Sequence, residues 1–213
     1  MNLMNFDIKD NNTNAIELCC PEIIDRYKLS QNRVFFLEDD MEDETGVGFC
    51  DECLSLAHTI QRINIEDIDI PVKDRKPIKL FIWGEGGSMH HAYTLVATIE
   101  QSVTPVWTIN TGVAYSAAML IFLAGTKRFC YKRSEALIHN GSGQIAGTYD
   151  QAVEGMASYE KAVKAMHDYI LEKTSITQKL FNKNKGKDWF ISDDEQVKYG
   201  IADKIVTSMD EIL

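Results

Sequence analysis

The chain has 213 residues, 45% of them hydrophobic and 25% charged, which is the balance of one globular domain with material for a substantial core. A net charge of −10 argues against a polyanionic partner such as nucleic acid, because binding one needs clustered Lys and Arg. No apolar run approaches a membrane span, and "MNLMNFDIKDNNTN" lacks the basic flank and apolar stretch of a secretory signal, so a cytoplasmic location with reduced thiols is expected.

Residues 1–30 are polar and Asn-rich and read as an irregular N-terminal arm or an axial segment ordered only in an assembly, with the domain proper over 31–213. "RVFFL" (33–37) predicts a strand, and "EDDMEDE" (38–44), with six acids in seven residues, a solvated loop. A helix then runs to Arg62. Cys50 and Cys53 form a CxxC within it, but Phe49, Cys53, Leu56, Ala57 and Ile60 recur at helical spacing. The adjacent Cys19 and Cys20 supply no obvious second ligand pair, so the CxxC thiols are expected to pack as small hydrophobes, and no metal or cofactor is expected. After a polar connection bearing Pro71 and Pro77, the rhythm becomes strand, turn, helix. "IKLFIW" (78–83) leads through "GEGGS" into a helix over 89–101, and "VWTI" (106–109) leads through the turn "GVAYS" into a helix over 117–124. "RFCY" and "EALI" are short strands. Thr148 and Gln151 form a capping box for a helix over 149–173, on which Val153, Met156, Tyr159, Val163, Met166 and Ile170 make one apolar stripe. Strands alternating with helices predict parallel pairing, hence an α/β fold.

Ser116 interrupts the apolar run "GVAYSAAMLIFLAG". One reading makes it a helix N-cap. The other makes it a nucleophile at a strand-to-helix turn, with Ala114, Ala117 and Ala118 leaving room for another chain to approach. Two further stretches favour the second. Paired glycines in "GEGGS" let backbone N–H groups come close to a ligand, and His139 ends the strand "EALI" where the chain opens into a glycine-rich segment. Serine is a weak nucleophile until an imidazole takes its proton, and the imidazole needs a third group to fix its tautomer. His58, His90, His91 and His167 lie on predicted helices among polar neighbours and are given no role.

The order "GEGGS", "GVAYSAAM", "RFCY", "EALIH", the long helix and "DWFISDDEQVKYGIAD", over about residues 33–206, resembles the ClpP family, the proteolytic subunits of ATP-dependent Clp proteases. The resemblance implies a ClpP/crotonase-like α/β fold of repeated β-β-α units with 149–173 as a protruding handle helix. It implies Ser116 as nucleophile, His139 as general base, and the N–H groups of Gly87 and Ala117 as the oxyanion hole. Residues 141–147 would pair with an extended substrate as an added strand. Aligning "FNKNKGKDWFIS" places Asn184 at the triad aspartate and Lys183 at an arginine that helps join rings, with Asp188 as the alternative third member. Asn orients an imidazole without matching its charge, so on this alignment the enzyme is slow and Asn184→Asp speeds it. The implied protein is a serine endopeptidase subunit of heptameric rings that meet in pairs through the handle helices. An AAA+ unfoldase is the implied partner, and peptides or unfolded chains the substrates. Two other readings stand beside it: an inactive subunit that assembles with an active paralogue, and a crotonase-type acyl-CoA enzyme, which has no use for a Ser–His pair here.

Overall fold

The computed structural model describes residues 21–38 and 49–213. Helix α1 spans Pro21–Gln31, so the segment expected to be irregular is helical from Pro21 on. The rest of that segment, and residues 39–44 of the acidic stretch, lie outside the described residues. Arg33 closes α1 in the left-handed region, φ +59°, and donates its N–H to the Ser30 carbonyl at 2.9 Å. Strand β1 (Val34–Glu38) follows, then α2 (Phe49–Glu66), a turn longer than expected, β2 (Ile78–Gly84) and α3 (Met89–Gln101). The chain continues as β3 (Val106–Tyr115), α4 (Ala117–Leu123), β4 (Lys127–Tyr131), β5 (Glu135–Ile138) and α5 (Tyr149–Lys173). It ends with α6 (Gln178–Asn184), β6 (Trp189–Ser192), α7 (Asp193–Lys198) and β7 (Lys204–Val206).

Among the described residues the sheet has seven strands, with β1-β2-β3-β4-β7 running parallel in that order. Strand β3 forks. Trp107–Asn110 pair with β4, while Val113–Tyr115 pair with β5. The stretch "GVAY", expected as a turn, is therefore strand. The register slips between Ile82 and Gly84, and side chains satisfy the backbone there: Asn110 Oδ1 accepts from the Gly112 N–H, and the Thr111 hydroxyl donates to the Ile82 carbonyl. Strand β6 adds to β5 antiparallel, the one departure from parallel pairing among the described strands.

Strand residues alternate between two unequal layers. Leu80, Ile82, Val106 and Cys130 face the helices, where α2, α3 and the fully buried α4 complete the main core. Cys53 is wholly buried in that layer and Cys50 half-buried, so this CxxC sits at the core face. The opposite face collects Val34, Phe81, Ile109, Phe129 and Val206, capped by Ile212 from the C-terminal turn. Behind the fork lies a buried polar chain: the Asn110 amide donates to the Gln196 side chain at 3.1 Å and to the Glu135 carbonyl, and the Gln196 amide donates to Ser134. Each end has a partner, as burial requires.

Asp67, 1% exposed, ends α2 against Arg33, whose guanidinium makes two hydrogen bonds to its carboxylate, while the Thr104 hydroxyl donates a third. Arg33 first, then Thr104, holds the Asp67 carboxyl below the usual carboxylate range against the opposing effect of burial. A depressed folded-state value gives stability that is present in full above about pH 4 and is lost as pH falls through the lowered value. Asp67→Asn leaves the guanidinium half-matched and is expected to cost about 3 kcal/mol, read by urea unfolding at pH 7. The gap between variant and native protein should narrow below about pH 4.

Candidate active site

Ser116 occupies the single residue between β3 and α4, at φ +53° and ψ −121°. A non-glycine residue in this region costs of the order of 1–3 kcal/mol and persists only where its surroundings hold it. Three contacts do so. The Ser116 N–H donates to the Leu137 carbonyl at 3.0 Å, tying the turn to β5 two residues before His139. The Tyr115 hydroxyl donates to the Glu135 carboxylate, and its ring meets Phe190 of β6 edge-on. Burial first, then Glu135, pushes the Tyr115 hydroxyl up to about 12, so it stays a donor. Ser116 is the N-cap residue of α4, and its carbonyl accepts from the Met119 N–H, but its hydroxyl makes no capping bond.

The β2–α3 turn lies directly against Ser116. A Cβ on Gly86, which has φ +97°, would stand 2.7 Å from the Tyr115 carbonyl, 2.9 Å from the Ala117 nitrogen and 3.0 Å from Ser116 Cβ. Only a residue without a side chain permits this approach, which seats Gly86, the residue before Gly87, against the Ser116–Ala117 turn. Gly86→Ala forces two backbones apart at a positive φ. It is expected to lower stability by about 2 kcal/mol or more, measured by thermal unfolding.

His139 follows β5 at the same end of the sheet. Its side chain is 28% exposed, with Nδ1 3.6 Å from the Asp188 carboxylate and Nε2 buried without a hydrogen-bond partner among the described residues. Strand pairing explains the contact. Ile138 stands opposite Trp189 in the antiparallel β5–β6 ladder, so the next residue outward on each strand is His139 and Asp188. Asn184 belongs elsewhere. It ends α6, and its amide donates back to the Leu180 carbonyl of the same helix. No hydrogen bond or ion pair among the described residues joins Asn184 to His139. Of the two candidates for the third position, the structure brings Asp188 to His139 and leaves Asn184 on α6.

Beyond His139 the glycine-rich residues 141–147 are exposed and form no strand, and a Cβ on Gly141 or Gly143 would come into van der Waals contact with Tyr159 of α5. That helix opens with the expected capping box and buries only Met166 and Ile170, leaving Tyr149, Val153 and Met156 at its start well exposed. Sequence reading missed Tyr115, Glu135 and Phe190 as supports of the serine turn. It also passed over His167, which lies in register with Tyr159 and Val163 at steps of four.

The strained Ser116 turn and the His139–Asp188 contact lie at one end of an α/β sheet, and comparison with known proteins shows the family. The chain matches the Clp protease family over residues 22–209. It is 27% identical over 188 residues to an ATP-dependent Clp protease proteolytic subunit 2 of Bifidobacterium longum, covering 87% of this chain and 84% of that one. It is 30% identical over 139 residues to a proteolytic subunit 2 of Treponema denticola (64% and 70% covered). It is 25% identical over 186 residues to a proteolytic subunit 1 of Corynebacterium jeikeium (86% and 92%). The chain belongs to the Clp protease family, as a divergent member, and membership supports a peptidase function of the Clp type. Among the described residues no helix is long and apolar enough to cross a membrane.

Proposed function

We propose that the protein is a serine endopeptidase subunit of a Clp-type protease that encloses its active sites in a barrel. The observation that carries the reading is Ser116, held at positive φ with no side-chain capping bond, just past the strand that pairs with the one leading to His139. In the proposed reaction His139 Nε2 takes the Ser116 proton as Oγ attacks the peptide carbonyl. Asp188 holds Nδ1–H and balances the imidazolium, and the N–H groups of Gly87 and Ala117 receive the developing oxyanion. His139 then returns its proton to the leaving amine, and water completes the cycle through the same groups. The 3.6 Å between Nδ1 and Asp188 exceeds a hydrogen bond and closes to one in the reacting complex.

The rest of the reading follows family membership. Subunits of the family form rings that work with Clp ATPases, and this chain would form heptameric rings in the cytoplasm, paired along the exposed apolar start of α5. An AAA+ unfoldase would feed it unfolded chains, and the exposed 141–147 segment would receive them as an added strand. The reading of an inactive subunit leaned on Asn184, and an Asp188 carboxylate beside His139 weakens it. A fluorophosphonate probe tests the proposal: Ser116 Oγ should displace its fluoride and become phosphonylated, identified by mass spectrometry of the modified peptide. Absence of label under conditions that label trypsin would reject it.

A further inference from the structure

Asn140, the residue after His139, is held at two points by α5. Its carbonyl accepts a hydrogen bond from the Tyr159 hydroxyl at 2.9 Å, and its side-chain oxygen lies 2.8 Å from Nε2 of His167. His167 makes a second contact. Its ring packs edge-on against Phe181 of α6, with centroids 4.8 Å apart, and Phe181 is itself buried. From Phe181 the chain runs through Asn184 and the left-handed Gly186 to Asp188. One side chain on α5 therefore touches both limbs on which the His139–Asp188 pair is mounted.

Burial, helped by Lys185 and opposed by Asp168, holds the His167 imidazole below its ordinary range. Around neutral pH it is the uncharged ring, and with Asn140 Oδ1 as acceptor its Nε2 carries the proton. The bond to Asn140 is thus a fixed donor–acceptor pair against an apolar ring. Asn140 is otherwise exposed and opens the glycine-rich segment, so without these two bonds to α5 the backbone just after His139 would have little to hold it.

We infer that His167 is a positioning residue: by fixing Asn140 against α5 it sets the orientation of the His139 imidazole toward Ser116 and Asp188. The inference rests on the Ser116–His139 reading above. His167→Phe keeps a ring for Phe181 but cannot donate, and His167→Gln restores a donor. With a short fluorogenic peptide, His167→Phe is expected to lower kcat about tenfold with KM within about twofold, and His167→Gln to recover most of the loss. Asn140→Ala, at an exposed position, should lose as much as His167→Phe, and the double variant should lose no more than either alone. A second readout is the His139 signal in histidine-labelled NMR spectra, expected to shift in His167→Phe and in Asn140→Ala alike. An unmoved His139 signal with native kcat in either variant, or losses that simply add, would overturn the inference. Native protein that fails to take the fluorophosphonate would instead overturn the functional reading, while the NMR comparison would still decide whether His167 positions His139.

Discussion

Ser116→Ala is expected to lower kcat/KM for a short peptide by about 10⁵–10⁶-fold, the loss seen where an activated serine does the chemistry. Stability should barely change. Alanine carries the same Cβ at the same positive φ, and the hydroxyl it removes makes no bond to the helix that follows. Ser116→Gly should be as inactive and yet more stable by about 1 kcal/mol, since glycine relieves the backbone strain at a smaller entropic cost. The pair separates two accounts of this residue. A serine retained to hold the turn would lose stability on truncation, whereas a serine retained for reaction loses only activity. Thermal unfolding and peptide hydrolysis on the same preparations decide between them, and native turnover by Ser116→Ala would end the serine mechanism.

The second large effect concerns the partner of His139. Asp188→Ala is expected to lower kcat about 10²–10⁴-fold, the upper figure being the cost of a lost triad carboxylate in a serine protease built around one. The lower figure allows for a pair that is 3.6 Å apart, with the carboxylate 66% exposed and well solvated. Asp188→Asn should lose nearly as much, because an amide orients the ring but leaves the imidazolium unmatched. Asn184→Ala should stay within about threefold of native and lose only a little helix stability, since its amide serves the Leu180 carbonyl. Steady-state kinetics on the three variants suffice. Collapse on Asn184→Ala with Asp188→Ala intact would restore the pairing that the alignment suggested.

That alignment and the contact in the structure part for a local reason. Counting residues back from "WFIS" treats the segment as a uniform string, but Asn184 ends a helix and Asp188 abuts a strand, with Lys185–Lys187 turning between them. The position of a residue beside His139 is set by which strand pairs with β5 and in which direction, and "EALI" and "WFIS" do not announce an antiparallel match. The same blindness hid β3. "GVAY" looks like a turn because it carries a glycine and small residues, and only its pairing with β5 makes it strand. Where periodicity was local it served well: α3 and α5 have the bounds their apolar spacing and caps predict. The places of Ser116 and His139 at strand ends were legible because each directly follows an apolar strand, beside glycine or small residues. Their supports were not, since Tyr115, Phe190 and His167 acquire meaning only through partners distant in the chain.

The fork in β3 also divides the molecule into parts that need not open together. Val113–Tyr115 lend one edge to β5, which in turn carries β6, while Trp107–Asn110 belong to the ladder running through β4 to β7. The β5–β6 ribbon, with His139 and Asp188 at its end, can peel from β3 without breaking any backbone bond between β1, β2, β4 and β7. What it must give up is its pairing with β3, the burial of Ala136, Ile138 and Ile191, the Asn110–Gln196–Ser134 chain and the hold of Leu137 on Ser116. Local opening of this kind takes less free energy than global unfolding. The proposed proton-transfer residues therefore sit on a ribbon whose backbone pairing is separate from that of the parallel ladder.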